Sequence, residues 1–154
     1  MRRDSRLSWL AAPALALLAS CAHEGGAGVT SSSDPADAVL CGTKSFPAFL
    51  QRFAEDPLFQ ERHTATKLRR MRIQNEGFEE PHPVETTVPR AQLQFPIFPS
   101  AARRKEYRLD EMTTEPEGSR MKVRVAVPDT DIVQVYYFER RSCWQLVRDE
   151  NLTL

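Results

Sequence analysis

Three cysteines and three histidines are the side chains of this sequence best suited to covalent or metal chemistry. They are Cys21, Cys41, Cys143, His23, His63 and His82. A zinc site takes three or four such ligands at recognisable spacing, and His63 has no acid or second histidine three or four residues away. No acid or histidine lies at a spacing from Cys41 or Cys143 that would indicate a catalytic cysteine. The sequence therefore predicts no metal site, no cofactor and no catalytic residue.

Cys21 differs from the other two cysteines because the features of an export signal precede it. Three arginines within residues 1–6 are followed by the apolar run Leu7–Leu18, which is too short to span a bilayer as a helix. The sequence Leu18-Ala19-Ser20-Cys21 resembles the lipobox of bacterial lipoproteins. That resemblance implies removal of residues 1–20 and attachment of diacylglycerol to Cys21. The simpler alternative is an ordinary signal peptide that is cleaved at a small residue.

The residues after Cys21 predict where the protein is held and how. Ala22 follows rather than an aspartate, and by resemblance to Gram-negative lipoproteins this favours the inner leaflet of the outer membrane, with the folded part in the periplasm. Residues 22–38 are small, polar and rich in Gly and Ser, which predicts a flexible tether. The expected organisation is a signal peptide (1–20), a lipidated cysteine with its tether (21–40) and one globular domain (41–154).

Cys41 and Cys143 remain as an even pair if Cys21 carries the lipid. The space outside the inner membrane is oxidising, so an even pair of cysteines there favours a disulfide. Such a bond would close a loop of about 100 residues and contribute on the order of 4 kcal/mol in the chain-entropy model. Two free thiols, or a disulfide to a partner protein, are the alternatives.

Helical patterns occupy the first part of the predicted domain. Large apolar residues recur at i, i+3, i+4 and i+7 within Phe46–Glu55, which predicts a helix with one core-facing side. Asp56-Pro57 is a typical start for a second, short helix. Residues 64–73 are predicted to form a strand.

Strand patterns dominate the remainder. Residues 75–100 contain five prolines, which predicts a loop with edge strands near 86–88 and 92–97. A short helix is expected after Ser100. Three further strands joined by tight turns are predicted at 121–127, 132–140 and 143–148. Helices followed by an antiparallel meander indicate the α+β class.

Two segments resemble a family of uncharacterised bacterial lipoproteins. Phe46–Gln60 (FPAFLQRFAEDPLFQ), followed by Arg62, matches the family's pattern F-x-x-F-x-x-x-F-x-x-D-x-x-F-Q. Val135–Leu146 (VYYFERRSCWQL) is similar to its aromatic strand, turn and tryptophan strand. The fold of this family resembles the cone-shaped fold of nuclear transport factor 2 (NTF2) relatives. The resemblance implies N-terminal helices packed on a curved antiparallel sheet that ends in a three-strand meander, and it implies no established activity.

The cone-shaped fold can also contain a pocket. Some enzymes of this fold place an acid and a tyrosine in the cavity of the cone. In this chain the cavity could be lined by four aromatic residues, Tyr107, Tyr136, Tyr137 and Trp144. The acid could be Asp110 or Glu139. The competing interpretation is that these aromatic side chains fill the core, because a fold does not imply a function.

Arginines near the start of the sheet offer a second kind of chemistry. Arg69, Arg70 and Arg72 are closely spaced in the predicted strand 64–73. They could bind an anionic headgroup or a glycan phosphate. A solvated face with local ion pairs is the more ordinary interpretation.

Charge and length limit the functions that the chain could have. The 154 residues include 21 basic and 21 acidic side chains. Removing residues 1–20 takes away three arginines and one aspartate, so the remainder carries a small negative excess and nucleic acid is not an expected partner. We expect a non-enzymatic module, anchored to the membrane at Cys21, that binds another envelope protein. The alternative is a small-molecule binder or minor enzyme that uses the cavity of the cone.

Overall fold

The computed structural model describes residues 35, 41, 45–75, 77 and 80–154. The predicted signal peptide, the predicted lipidation residue Cys21 and all of the predicted tether except Pro35 lie outside these residues. Among the described helices, none is both long enough and apolar enough to cross a membrane.

Two consecutive helices form where the apolar spacing predicts them. Helix α1 (Phe46–Glu55) has a proline in its first turn and buries four large apolar residues at helical spacing. It ends at Asp56, whose backbone is extended, because a following proline disfavours helical backbone at the preceding position. Helix α2 (Pro57–Arg62) begins there, and the Asp56 carboxylate accepts a hydrogen bond from the Phe59 amide at 3.0 Å.

Six strands form one sheet in the spatial order β2-β1-β6-β5-β4-β3. The strands are β1 (Thr64–Gln74), β2 (His82–Pro89), β3 (Glu111–Glu117), β4 (Arg120–Ala126), β5 (Val133–Arg140) and β6 (Trp144–Asn151). A 3-10 turn (Arg90–Gln92) and helix α3 (Ala101–Glu106) lie between β2 and β3. The predicted α+β class is confirmed, and β3 adds a fourth strand to the predicted meander.

The sheet is mixed, which corrects the expectation of a wholly antiparallel one. Strand β1 runs parallel to β6, whereas the other neighbouring strands pair antiparallel. Parallel neighbours need a long crossover connection, and the chain between β1 and β6 supplies it. Because periodicity reports which face a residue occupies and not the direction of its partner strand, the sequence pattern alone did not reveal this pair.

Two further strand predictions need correction. Residues 92–97 do not form an edge strand, since the chain passes through a 3-10 turn and then an irregular segment with a cis Phe95–Pro96 peptide bond. The predicted strand at 86–88 lies inside the longer β2. Strand β3 was missed because all of its residues are exposed, so it has no apolar alternation to recognise.

An aromatic core fills the space between α1 and the sheet. The Phe53 and Phe138 rings meet edge to face with centroids 5.1 Å apart, and Phe98 packs against Phe53 at 6.1 Å. The Phe46 ring contacts Trp144 at 4.9 Å. Such pairs add about 0.5–1.5 kcal/mol beyond the burial of their area. The space between α1 and the sheet is therefore filled by aromatic side chains.

Candidate ligand-binding pocket

Polar side chains from three neighbouring strands meet at one end of the inner face of the sheet. Under helix α1 that face is apolar, with Leu68 on β1, Phe138 on β5 and Leu146 on β6 fully buried. Further along each strand, the inward positions become polar. The polar side chains here are Arg70, Arg72, Gln134, Tyr136 and Asp149. The inner face thus changes from a core into a polar site.

A β-bulge causes Asp149, and not Arg148, to face inwards. Simple alternation from Leu146 would place Arg148 on the inner face. The register of β5 against β6 shifts by one residue at Val147, and Asp149 then lies opposite Tyr136. Bulges re-aim side chains in this way and are common beside functional sites.

Asp149 is the centre of an ion-pair network. Its side chain is 5% exposed, and its Oδ2 accepts hydrogen bonds from Arg70 Nη2 at 2.9 Å and from Arg72 Nη2 at 2.8 Å. Arg70 Nε also lies 3.1 Å from Oδ1 and 3.2 Å from Oδ2. Because a buried carboxylate is costly without such partners, the two arginines stabilise Asp149, and Asp149 fixes their positions.

Tyr136 closes the inner end of this network. Its hydroxyl lies 2.6 Å from Gln134 Oε1 and 3.2 Å from the carbonyl oxygen of Ile97. Burial raises the pKa of Tyr136, the negative charge of Asp149 raises it further, and the two arginines oppose the shift. The phenol therefore stays protonated and acts as a hydrogen-bond donor.

The irregular segment after the 3-10 turn covers the network and leaves a small open pocket of about 180 Å³. Gln94, Pro96 and Ile97 line it from this segment, and Asn151 lines it from the end of β6. The segment is held in place by Gln60, which is fully buried. The Gln60 Oε1 accepts hydrogen bonds from the Ile97 and Phe98 amides at 2.8 and 3.0 Å, and its Nε2 donates to the Phe98 carbonyl at 2.9 Å.

The structure separates the four aromatic residues that were expected to line one pocket. Tyr136 lines the polar pocket, but Tyr137 is on the opposite face of the sheet, where its hydroxyl lies 3.2 Å from Glu150 Oε2. Trp144 is buried in the core. Tyr107 is 53% exposed and borders a separate surface depression.

The acid in the pocket is also a different residue from those considered. Asp110 is exposed, and Glu139 pairs with Arg120 at 2.7 Å; neither lines the pocket. Asp149 was missed because only the bulge at Val147 turns it inwards. The predicted strand also ended at Arg148, one residue before Asp149, so no signal in the sequence marked this acid as part of a site. Arg70 and Arg72, noted in the sequence as an anion-binding possibility, are both in the site.

The two remaining cysteines are joined. Cys41 and Cys143 form a disulfide with an S–S distance of 2.08 Å across 102 residues of sequence. His63, which is distant from both cysteines in the sequence, lies beside this bond: one ligand atom from each of the three residues falls within 4.8 Å of the others. The fold therefore gathers side chains that sequence spacing kept apart.

A larger, apolar groove of about 510 Å³ lies between α1, α3 and strand β3. Its walls include Leu50, Phe98 and Met112, the last being 43% exposed. The groove has few polar groups to orient a small ligand, whereas the polar pocket is lined by converging donors. The polar pocket is therefore the better candidate for recognition of a small charged ligand, because its arginines can bind and orient such a group.

Comparison with known proteins gives the fold a name. No protein-family model matches this sequence, and no curated protein matches it. An NTF2-like protein from Bacteroides fragilis, known from its crystal structure, matches 72% of this chain with a TM-score of 0.52 and 18% sequence identity. This chain spans 48% of that protein's length. The fold is NTF2-like, as the family resemblance implied; at this identity the likeness concerns the fold alone.

Proposed function

We propose that this protein is a membrane-anchored binding module whose polar pocket holds a small anion with a carboxylate or phosphate group. The observation that carries the proposal is the convergence of Arg70 and Arg72 on the single carboxylate of Asp149. Two guanidinium groups against one carboxylate leave an excess positive charge in a partly desolvated pocket, which favours an anionic ligand.

The other acid at the rim does not cancel this charge. Glu150 also lines the pocket, but its Oε1 accepts a hydrogen bond from Arg148 Nε at 2.6 Å and its Oε2 lies 3.2 Å from the Tyr137 hydroxyl. Arg148 thus holds the Glu150 carboxylate beside Tyr137, and the same guanidinium also pairs with Glu85 through Nη2. The excess positive charge is therefore local to the inner face of the sheet, where Arg70 and Arg72 share the carboxylate of Asp149.

Unused donors of the pocket point to the same ligand chemistry. Arg70 binds Asp149 through Nε and Nη2. Its Nη1 makes no hydrogen bond to the residues that the structure describes, so this nitrogen is available to a ligand. The Asn151 Oδ1 accepts from the Thr153 amide, which leaves the amide nitrogen of Asn151 as a donor. A pocket with more donors than acceptors suits a ligand rich in acceptor oxygens, and arginine binds both carboxylate and phosphate in a fixed geometry.

The same contacts favour binding over acid–base catalysis. A general base needs a carboxylate that can accept a proton from the substrate, whereas the Asp149 oxygens already accept from both arginines. Tyr136 has a raised pKa and lies within hydrogen-bond distance of Gln134. We therefore propose that both residues organise the pocket and do not transfer protons.

Titration calorimetry with paired probes tests this function. Acetate and acetamide have nearly the same shape and differ in charge, so acetate should bind and acetamide should not; inorganic phosphate distinguishes a phosphate preference from a carboxylate one. In the variant Arg70→Gln, which removes the available Nη1 donor, the affinity for the preferred anion should fall at least about tenfold, because a hydrogen bond to a charged group contributes about 1.5–3 kcal/mol.

The matched control is Arg120→Gln. Arg120 is an arginine of the same sheet that pairs with Glu139 and does not line the pocket. Its loss removes the same charge and should leave anion affinity unchanged. If acetate and phosphate both fail to bind, or if the two variants weaken binding equally, the pocket is not the anion site.

The proposed anchor has its own test. The basic stretch, the apolar run and Leu18-Ala19-Ser20-Cys21 support lipid attachment at Cys21 and a periplasmic position at the outer membrane. Intact mass spectrometry of the protein extracted from membranes should give a chain that begins at Cys21 and carries acyl mass. An unmodified chain, or one that begins at another residue, would overturn the anchor and leave the pocket proposal standing.

A further inference from the structure

A cluster of metal-binding side chains lies outside the polar pocket. Cys41 precedes α1, His63 caps the end of α2, and Cys143 precedes β6. Cys143 and His63 are 5% and 8% exposed. The three residues come from separate parts of the chain, so only the fold brings their ligand atoms within 4.8 Å of one another.

The packing around His63 holds its ring in place. The imidazole lies 4.1 Å from the Phe59 ring and 5.5 Å from the Phe49 ring, centroid to centroid. The His63 carbonyl accepts a hydrogen bond from the Leu146 amide at 2.9 Å, which ties the residue to the same strand that follows Cys143. The histidine is thus positioned by both the core and the backbone.

Arg140 adds a positive charge on the cysteine side of the cluster. Its Nη2 donates to the Cys41 carbonyl at 2.9 Å, and its Nη1 is buried and has no hydrogen-bond partner among the described residues. A positive charge held at the backbone of Cys41 favours the thiolate form of a reduced cysteine nearby. Thiolate is the form that binds metal ions.

We propose that reduction of the Cys41–Cys143 disulfide creates a zinc site of two thiolates and the His63 imidazole. A dithiol reductant supplies two electrons and two protons: the S–S bond breaks, two thiols form, and the reductant becomes a disulfide. On binding Zn²⁺ the two thiols release their protons to water, and the neutral imidazole donates a nitrogen lone pair. Two thiolates balance the charge of the ion, and a water completes the tetrahedron.

The distances make this exchange feasible with small movements. Bonds of about 2.3 Å to sulphur and about 2.0–2.1 Å to nitrogen place the ligand atoms of a tetrahedral site about 3.6–3.8 Å apart. The ligand atoms here already lie within 4.8 Å, so rotation of the released cysteine side chains suffices. In the oxidised chain both sulphurs are consumed by the disulfide, and the site exists only after reduction.

The experiment uses the full chain with Cys21→Ser, so that Cys41 and Cys143 are its only thiols. Co²⁺ serves as a spectroscopic probe and Zn²⁺ as its competitor. The reduced protein should bind one Co²⁺ per chain with a thiolate-to-cobalt charge-transfer band that Zn²⁺ removes, and the oxidised protein should show no band. His63→Gln should lower the Zn²⁺ affinity at least about tenfold, whereas the matched control His82→Gln should keep the parent affinity.

Thermal unfolding of the reduced chain distinguishes a folded site from loose thiols. Zn²⁺ should raise the Tm of the reduced protein, since a ligand that binds only the folded state stabilises it, and should leave the oxidised protein unchanged. A missing charge-transfer band, an unaltered affinity in His63→Gln, or zinc binding without a rise in Tm would each overturn the proposal.

Discussion

Replacing Asp149 by asparagine tests whether this carboxylate organises the polar end of the sheet. The substitution keeps the size of the side chain, removes its charge and leaves Arg70 and Arg72 facing each other. Removing one partner of a fully buried ion pair costs about 3–5 kcal/mol. The arginine side chains here are 29% and 37% exposed, so water recovers part of that loss, and we expect a decrease in unfolding free energy of about 2 kcal/mol.

Urea unfolding followed by tryptophan fluorescence measures this loss. With a slope of about 2 kcal/mol per molar urea, a typical value for a small domain, the midpoint of Asp149→Asn should fall by about 1 M. Glu139→Gln is the control, because Glu139 pairs with Arg120 at 2.7 Å but its side chain is 26% exposed, against 5% for Asp149. An exposed pair contributes at most about 1 kcal/mol. If Asp149→Asn loses no more stability than Glu139→Gln, the network does not organise the pocket.

Three further variants test the disulfide, the covering segment and the phenol. Replacing Cys41 and Cys143 by serine should cost about 4–5 kcal/mol by urea unfolding, because the bond joins positions 102 residues apart; an unchanged midpoint would contradict the disulfide. Gln60→Leu removes three hydrogen bonds and leaves buried groups of the Phe98 segment without partners, so a loss of about 3 kcal/mol is expected, and a loss below about 1 kcal/mol would show that the segment is held by other contacts. The raised pKa of Tyr136 keeps the folded phenol protonated while the unfolded phenol ionises near its ordinary value of 10.0. Stability should therefore fall as pH rises above 10, by up to about 1.4 kcal/mol per pH unit, and Tyr136→Phe should lack this component; equal slopes in the two proteins would refute the assignment.

Local patterns were sufficient where one element buries one face. The apolar spacing within Phe46–Glu55 predicts α1, and Asp56-Pro57 predicts the start of α2. Both signals lie within one short stretch of sequence, because the residues that form a helix are consecutive. The strand patterns of β4, β5 and β6 can also be read locally, because short turns connect these three strands. The pair of cysteines that remains once Cys21 is set aside likewise favoured the bond between Cys41 and Cys143.

Strand direction and register were not available from those patterns. The ion pair between Arg70 and Asp149 joins residues 79 positions apart and needs the parallel pairing of β1 with β6. The inward position of Asp149 also needs the bulge at Val147, which reverses the alternation that Leu146 predicts. Both features arise from pairing between distant segments, which no window of sequence contains.

The sequence by itself determined the class of fold, the residues at which the helices begin, the candidate lipid anchor at Cys21 and the composition of the arginine-rich strand. Only the tertiary structure decided which of those side chains meet: Arg70 and Arg72 with Asp149 in one pocket, and His63 with the two bonded cysteines at another place. The physical reason is that secondary structure follows from local sterics and periodic burial. A site, by contrast, follows from the register and the crossover that bring distant strands together.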